Sequence, residues 1–142
     1  MFVAEILKTK GNAVFSITPD LTVAEACGAL EAKRVGALVV RDGETVVGMF
    51  SERDVIRALA SEGPDALHHP VGDYMTTKVI FAAPRETLTV VMSRMTDRRI
   101  RHLPILEEGR LVGVVSIGDL VKCRIEEHAR EAESLRTYIA AG

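Results

Sequence analysis

The 142-residue chain has no tryptophan, and aromatic residues make up only 4% of it. Stacking platforms for single strands are built from aromatic side chains, so that role is excluded first. A surplus of one charge is also missing. Eighteen Lys and Arg stand against twenty Asp and Glu, a formal net charge of −2, whereas gripping a phosphodiester backbone needs a basic face. No nucleic-acid partner is expected. Cysteine is scarce: Cys27 and Cys123 are too few for a disulfide framework and sit in apolar helical patterns, so both read as buried, reduced thiols. No apolar run approaches the ~20 residues that span a bilayer. The opening MFVAEILKTK lacks the charged lead and long apolar stretch of a signal peptide. No membrane association and a cytoplasmic location are therefore expected. His68 and His69 have no third ligand at metal spacing, so no metal is expected. There is no Ser-His-Asp order, Cys-His pair or GxxxxGK phosphate loop, and the chain does not read as an enzyme.

What the chain does have is itself, twice. A shift of 65 residues carries Pro19 to Pro84, Thr22 to Thr87, Gly48 to Gly113, Ser51 to Ser116 and Asp54 to Asp119. No gap is needed between Pro19 and Arg57. A lead-in repeats at a shift of 68: VAEIL from Val3 resembles VGDYM from Val71. Within each copy the pattern is the same. NAVFSITP and KVIFAAP read as short strands ended by proline. Thr22 and Thr87 are helix N-caps, followed by apolar residues at helical spacing. GALVV and HLPIL read as strands, DGET and EEGR as turns, and VVGMF and LVGVV as the return strands of hairpins. A second helix follows each.

The expected fold is therefore α+β, with two pseudo-symmetric repeats of strand, helix, strand, strand, helix. Either copy alone buries little, so the two are expected to pack as one pseudo-two-fold unit. Residues 1–62 form the first repeat with its lead-in, 63–70 a polar linker, 71–124 the second repeat, and 125–142 an amphipathic C-terminal helix. In that helix Leu120, Ile125, Ala129, Ala132, Leu135 and Ile139 form a stripe that packs on its own module or on a partner subunit. Glu126 and Arg130 are spaced to pair.

The repeated Ser-x-x-Asp, Ser51 with Asp54 and Ser116 with Asp119, stands where a strand enters a helix. One reading is a capping box, contributing about 1 kcal/mol per helix. The other is a sugar-phosphate holder. Free N–H groups and the helix dipole suit phosphate, the hydroxyl adds a hydrogen bond, and the carboxylate accepts two ribose hydroxyls. Capping does not need the preceding glycine or the repeated apolar frame, and that tips the reading toward a holder.

The 65-residue repeat, GMFSERD, GVVSIGD and MTDRRIRHLPILEEGRLVGVVSIGDLV together resemble tandem CBS domains, the pair called a Bateman module. The resemblance runs from about Val3 to Arg124 and is closest to the small stand-alone bacterial type. It implies a regulatory, signal-transducing protein that binds adenine nucleotides in clefts between the copies. AMP is the first expectation, with NAD(H), ADP, ATP and S-adenosylmethionine as other family ligands. In the first cleft it implies Ser51 and Asp54 at phosphate and ribose, with Gly36, Ala37 and Leu38 along the base, Ala13 and Val14 offering backbone, and Arg53 near phosphate. In the second it implies Ser116 and Asp119, with Arg101, His102, Leu103 and Pro104 at the pocket edge. Val79 and Ile80 would face adenine there, with Lys78 near phosphate, a role Lys10 would share. Gly36-Ala37 and Arg101-His102 differ in bulk and charge, so the clefts are expected to differ in ligand preference. The resemblance also implies a homodimer and an unknown regulated protein partner. Two other readings stay open: an enzyme acting on the bound nucleotide, and a ligand-free structural dimerisation module.

Overall fold

The computed structural model describes residues 1–11 and 13–141. Asn12, the start of the expected strand NAVFSITP, and Gly142, the end of the C-terminal segment, lie outside the described residues. The chain forms two compact units, residues 13–80 and residues 1–12 with 81–142. Each unit thus contains the body of one repeat and the lead-in of the other.

In the unit 13–80, β1 (Ser16–Ile17) pairs in parallel with β2 (Ala37–Asp42), which pairs antiparallel with β3 (Thr45–Ser51). Helix α2 (Val23–Lys33) connects β1 to β2, and α3 (Glu52–Glu62) follows β3. Thr22 caps α2 in a full capping box with Glu25, its Oγ1 accepting the Glu25 amide at 3.1 Å. Val23, Ala26, Val40, Phe50 and Val71 form the buried centre of this unit. The linker is ordered as one 3-10 helix, Gly63–His68, and the second lead-in as another, Val71–Asp73.

In the other unit, α4 (Leu88–Arg98) precedes an antiparallel hairpin of β4 (His102–Glu107) and β5 (Arg110–Ser116). Helix α5 runs unbroken from Ile117 to Ala141, so the second repeat and the C-terminal segment share one helix. The lead-in here is α1 (Val3–Lys10). Leu88, Met95, Leu103, Ile105 and Leu120 are each no more than 2% exposed.

The expected strand KVIFAAP is reduced to a single bridge, Ala82 opposite Ile105. Ala82 donates to the Pro104 carbonyl at 3.1 Å and accepts from the Leu106 amide at 2.9 Å. The next rung of that parallel ladder needs an N–H at position 104, and proline has none. In the first repeat the same position is Val39, and there the ladder extends to two residues.

The two lead-ins dock through matched backbone hydrogen bonds. Val3 donates to Glu86 at 3.0 Å and Val71 to Leu21 at 2.7 Å; Ala4 donates to Pro84 at 2.9 Å and Gly72 to Pro19 at 2.8 Å. In return, Leu88 donates to Met1 at 3.1 Å and Val23 to His69 at 3.0 Å. Glycine recurs in GMFSERD and GVVSIGD because each lead-in presses a side chain onto it. A Cβ on Gly113 would stand 2.5 Å from Leu7 Cδ2, and one on Gly48 would stand 2.7 Å from Met75 Sδ and 2.9 Å from the Thr76 carbonyl oxygen. Packing of the lead-in thus accounts for the repeated glycine without a ligand.

The lead-ins then diverge. Ala4, Glu5, Leu7 and Lys8 favour helix, and α1 continues to Lys10. Gly72, Asp73, Thr76 and Thr77 do not, and the chain leaves its 3-10 turn to pair Thr76 with Met49, both N–H to O distances being 2.9 Å.

Three further details differ from expectation. Cys27 and Cys123 are free thiols but only half-buried; burial pushes both thiols up. Among the described residues the ion pairs within α5 are Arg124 with Glu127 at 3.0 Å and the longer contacts of His128 with Glu131 and Glu133 with Arg136, not Glu126 with Arg130. Leu120 is buried, yet Ile125, Leu135 and Ile139 are 63%, 59% and 68% exposed, so their own unit does not cover the stripe beyond its first turn.

Candidate functional site

Both Ser-x-x-Asp turns form as capping structures. Ser51 is extended at φ −121° and ψ 169°, ending β3 and opening α3. Its Oγ accepts the Asp54 amide at 3.4 Å, while Asp54 Oδ2 accepts the Ser51 amide at 2.9 Å and the Ser51 hydroxyl at 3.1 Å. In the second turn Ser116 Oγ accepts the Asp119 amide at 3.1 Å, and Asp119 Oδ2 accepts the Ser116 amide at 2.8 Å. The capping hydrogen bonds therefore use the same atoms that the expected ligand contacts would need. A hydroxyl rotates to suit its partners, so a cap of this kind can yield one hydrogen bond to a ligand without unwinding the helix.

Hairpin register brings the next residues alongside. Ala37 stands opposite Ser51, and His102 opposite Ser116. The Gly36 carbonyl accepts the first helical amide, Glu52, at 3.0 Å, and the Arg101 carbonyl accepts Ile117 at 2.8 Å. Gly36 with Ala37 and Arg101 with His102 thus border their turns. Leu38 and Leu103, at 1% and 0% exposure, are core side chains, and Pro104 is buried beside Leu103. Arg53 is exposed on the first turn of α3. Ala13 and Val14 precede β1 without strand structure, in the same unit as Asp54. Lys78, Val79 and Ile80 also have no strand structure; they belong to the unit 13–80, whereas Ser116 and Asp119 belong to the other.

The two carboxylates are not electrostatic equals. Asp54 is 2% exposed, with Arg57 Nη1 at 3.7 Å. Asp119 is more open and forms a 2.6 Å ion pair with Lys10 Nζ from α1. The same ammonium donates to the Val114 carbonyl at 2.8 Å. Burial alone would raise the Asp119 carboxyl, but the Lys10 hydrogen bond and the Ser116 amide outweigh it and hold the group below the usual carboxylate range. By sequence Lys10 reads as a phosphate contact ahead of a strand. Its pairing with Asp119, 109 positions away, carried no local signal.

Sequence reasoning also missed a polar cluster at the linker. His69 Nδ1 lies 2.9 Å from Glu62 Oε2 and 2.6 Å from the Tyr74 hydroxyl, and that hydroxyl donates to Glu62. Desolvation and the Glu62 carboxylate push the Tyr74 phenol up to about 12. Among the described residues no three His, Cys, Asp or Glu side chains cluster as a metal site, and no helix is long and apolar enough to cross a membrane.

A hairpin flanked by two helices, leading through a Ser-capped turn into the second of them and occurring twice along the chain, defines the class: a tandem α+β repeat protein. The chain belongs to the CBS domain family, whose profile matches residues 3–61 and 71–126. It is similar to a mitochondrial CBS domain-containing protein of Arabidopsis thaliana, 36% identical over 149 residues that span 99% of this chain and 72% of the relative. A crystal structure of a CBS-domain containing protein from Agrobacterium tumefaciens is 42% identical with a TM-score of 0.86, covering 87% of this chain and 99% of that one. A CBS domain pair solved with 5′-methylthioadenosine and S-adenosyl-L-methionine shares the fold at a TM-score of 0.79 and 22% identity, over 89% of this chain and 98% of that one.

Proposed function

We propose that this CBS-pair protein is a non-catalytic sensor of adenine nucleotides, AMP first and NAD(H), ADP or ATP next. The observation that carries the reading is the pair of helix-capping carboxylates, Asp54 and Asp119, each beside a serine hydroxyl and a strand edge. A carboxylate there can accept both hydroxyls of a ribose, and the helix N-terminus favours the attached phosphate. The adenosine-type ligands of the structural neighbour support the same ligand class. Binding would shift a conformational or oligomeric equilibrium by the ligand's differential affinity for its two states, and a regulated protein in the cytoplasm would read that shift. We also propose that a second copy covers the exposed α5 stripe at Ile125, Leu135 and Ile139, which light scattering of the full chain reads directly.

Thermal unfolding with AMP, ADP, ATP and NADH tests the sensor. A ligand at about 100 times its Kd should add about 2.7 kcal/mol. Asp54→Asn and Asp119→Asn should each lower the stoichiometry found by calorimetry. Asn is preferred to Ala because its carbonyl oxygen still accepts the Ser51 or Ser116 amide and spares the cap. Absence of a shift with every nucleotide favours the structural module; release of a product from any of them favours the enzyme.

A further inference from the structure

The Val114 carbonyl on β5 and the Met49 carbonyl on β3 occupy matching positions of the two repeats, yet different groups satisfy them. Met49 accepts the backbone amide of Thr76 at 2.9 Å, whereas Val114 accepts Lys10 Nζ at 2.8 Å. Lys10 reaches that far because α1 remains helical for all eight residues. From there its ammonium also takes Asp119 Oδ2. That oxygen already accepts the Ser116 amide at 2.8 Å. A carboxylate oxygen has two lone-pair sites, and both sites on Asp119 Oδ2 are filled. The first turn differs at the matching oxygen. The second donor to Asp54 Oδ2 is the Ser51 hydroxyl at 3.1 Å, which can rotate away in place.

We propose that Lys10 is a latch on the second turn: a ribose diol that spans both Asp119 oxygens needs a site on Oδ2 and takes it by displacing the Lys10 ammonium, so occupation of that turn is coupled to the seating of α1. The inference rests on the nucleotide-sensing reading and says where the sensed signal leaves the site. Displacement also removes a bond from the Val114 carbonyl and so loosens the end of α1 from β5. At the Asp54 turn the group that must yield on Oδ2 is the Ser51 hydroxyl, which belongs to the turn itself, so that site carries no coupling to a lead-in helix. The two turns therefore have distinct tasks, one holding ligand and one reporting it.

Adenosine is the right probe, since it carries the diol but no phosphate to which Lys10 could transfer. Calorimetric titration is done on the full chain in an Asp54→Asn background, so that the second turn is read alone, and compared with Lys10→Met and Lys10→Arg in that background. Lys10→Met should bind adenosine about five-fold more tightly, the size expected when a partly exposed ion pair no longer competes; Lys10→Arg should stay near the parent. Adenosine should also raise hydrogen exchange at the α1 amides of the parent protein. Unchanged or weaker adenosine binding in Lys10→Met, with binding still present, overturns the latch and leaves the sensor reading intact. No adenosine binding in either protein overturns the second turn as a nucleoside site, and the latch with it.

Discussion

Gly48→Ala and Gly113→Ala make the same chemical change at matching positions, and the structure requires them to differ. At Gly113 the new methyl would meet Leu7 Cδ2 at 2.5 Å, with Cγ and Cδ1 both at 3.6 Å. One methyl at the end of a half-buried, flexible side chain must turn aside. Overpacking of that kind costs about 1 kcal/mol, and replacing a strand glycine returns roughly 0.5–1 kcal/mol of backbone entropy. The net loss should be no more than about 1 kcal/mol. At Gly48 the methyl would meet Met75 Sδ at 2.7 Å, the Thr76 carbonyl oxygen at 2.9 Å and Met75 Cγ at 3.0 Å. That carbonyl accepts the Met49 amide, and Met49 accepts the Thr76 amide, both at 2.9 Å. Moving the backbone puts two hydrogen bonds at risk, each contributing about 1 kcal/mol, on top of the overpacking. The expected loss is about 2–4 kcal/mol. Urea denaturation should show this as a lower midpoint at unchanged slope, and hydrogen exchange should show selective loss of protection at Met49 and Thr76. Met75→Ala placed on Gly48→Ala should recover part of the loss by giving the methyl room. Equal destabilisation by the two glycine changes, or retained protection at Met49 and Thr76 in Gly48→Ala, would refute the close-approach account of these glycines.

Two further predictions concern backbone strain and titration. Arg34 and Arg99 end α2 and α4 at φ 53° and 54°, the left-handed region that glycine adopts without strain. Arg34→Gly and Arg99→Gly should each stabilise the fold by up to about 1 kcal/mol, read as a rise in urea midpoint. The Tyr74 phenol, at about 12, should ionise late in an ultraviolet titration. Its folded value lies above the unfolded one, so the stability it contributes is present below about pH 10 and is lost as pH rises through 12. Glu62→Gln should bring its ionisation earlier, and an unchanged titration would exclude the Glu62 contact as a cause.

Much of the local structure was legible because its signals sit within a few residues of one another. Thr22 before an apolar 3.6-residue pattern, the hairpins around Gly43 and Gly109, and Ser51 three residues before Asp54 each specify geometry through short-range hydrogen bonds. The candidate carboxylates were legible for the same reason, and the repeat marked them twice. The weak strand before Pro84 was not legible. Its pairing depends on an N–H missing from Pro104, twenty residues downstream and on a different strand.

The sequence by itself determined the repeat, and within each copy the capped helices after Thr22 and Thr87, the hairpins and the Ser-x-x-Asp turns, since each of those elements is written in contiguous residues. The tertiary structure alone decided that each lead-in packs on the other repeat's body, that Gly48 and Gly113 are small to admit Met75 and Leu7, and that Lys10 closes on Asp119 while Asp54 has no lysine partner among the described residues. Those contacts join segments far apart in the chain through excluded volume and charge, and neither leaves a periodic trace along the sequence.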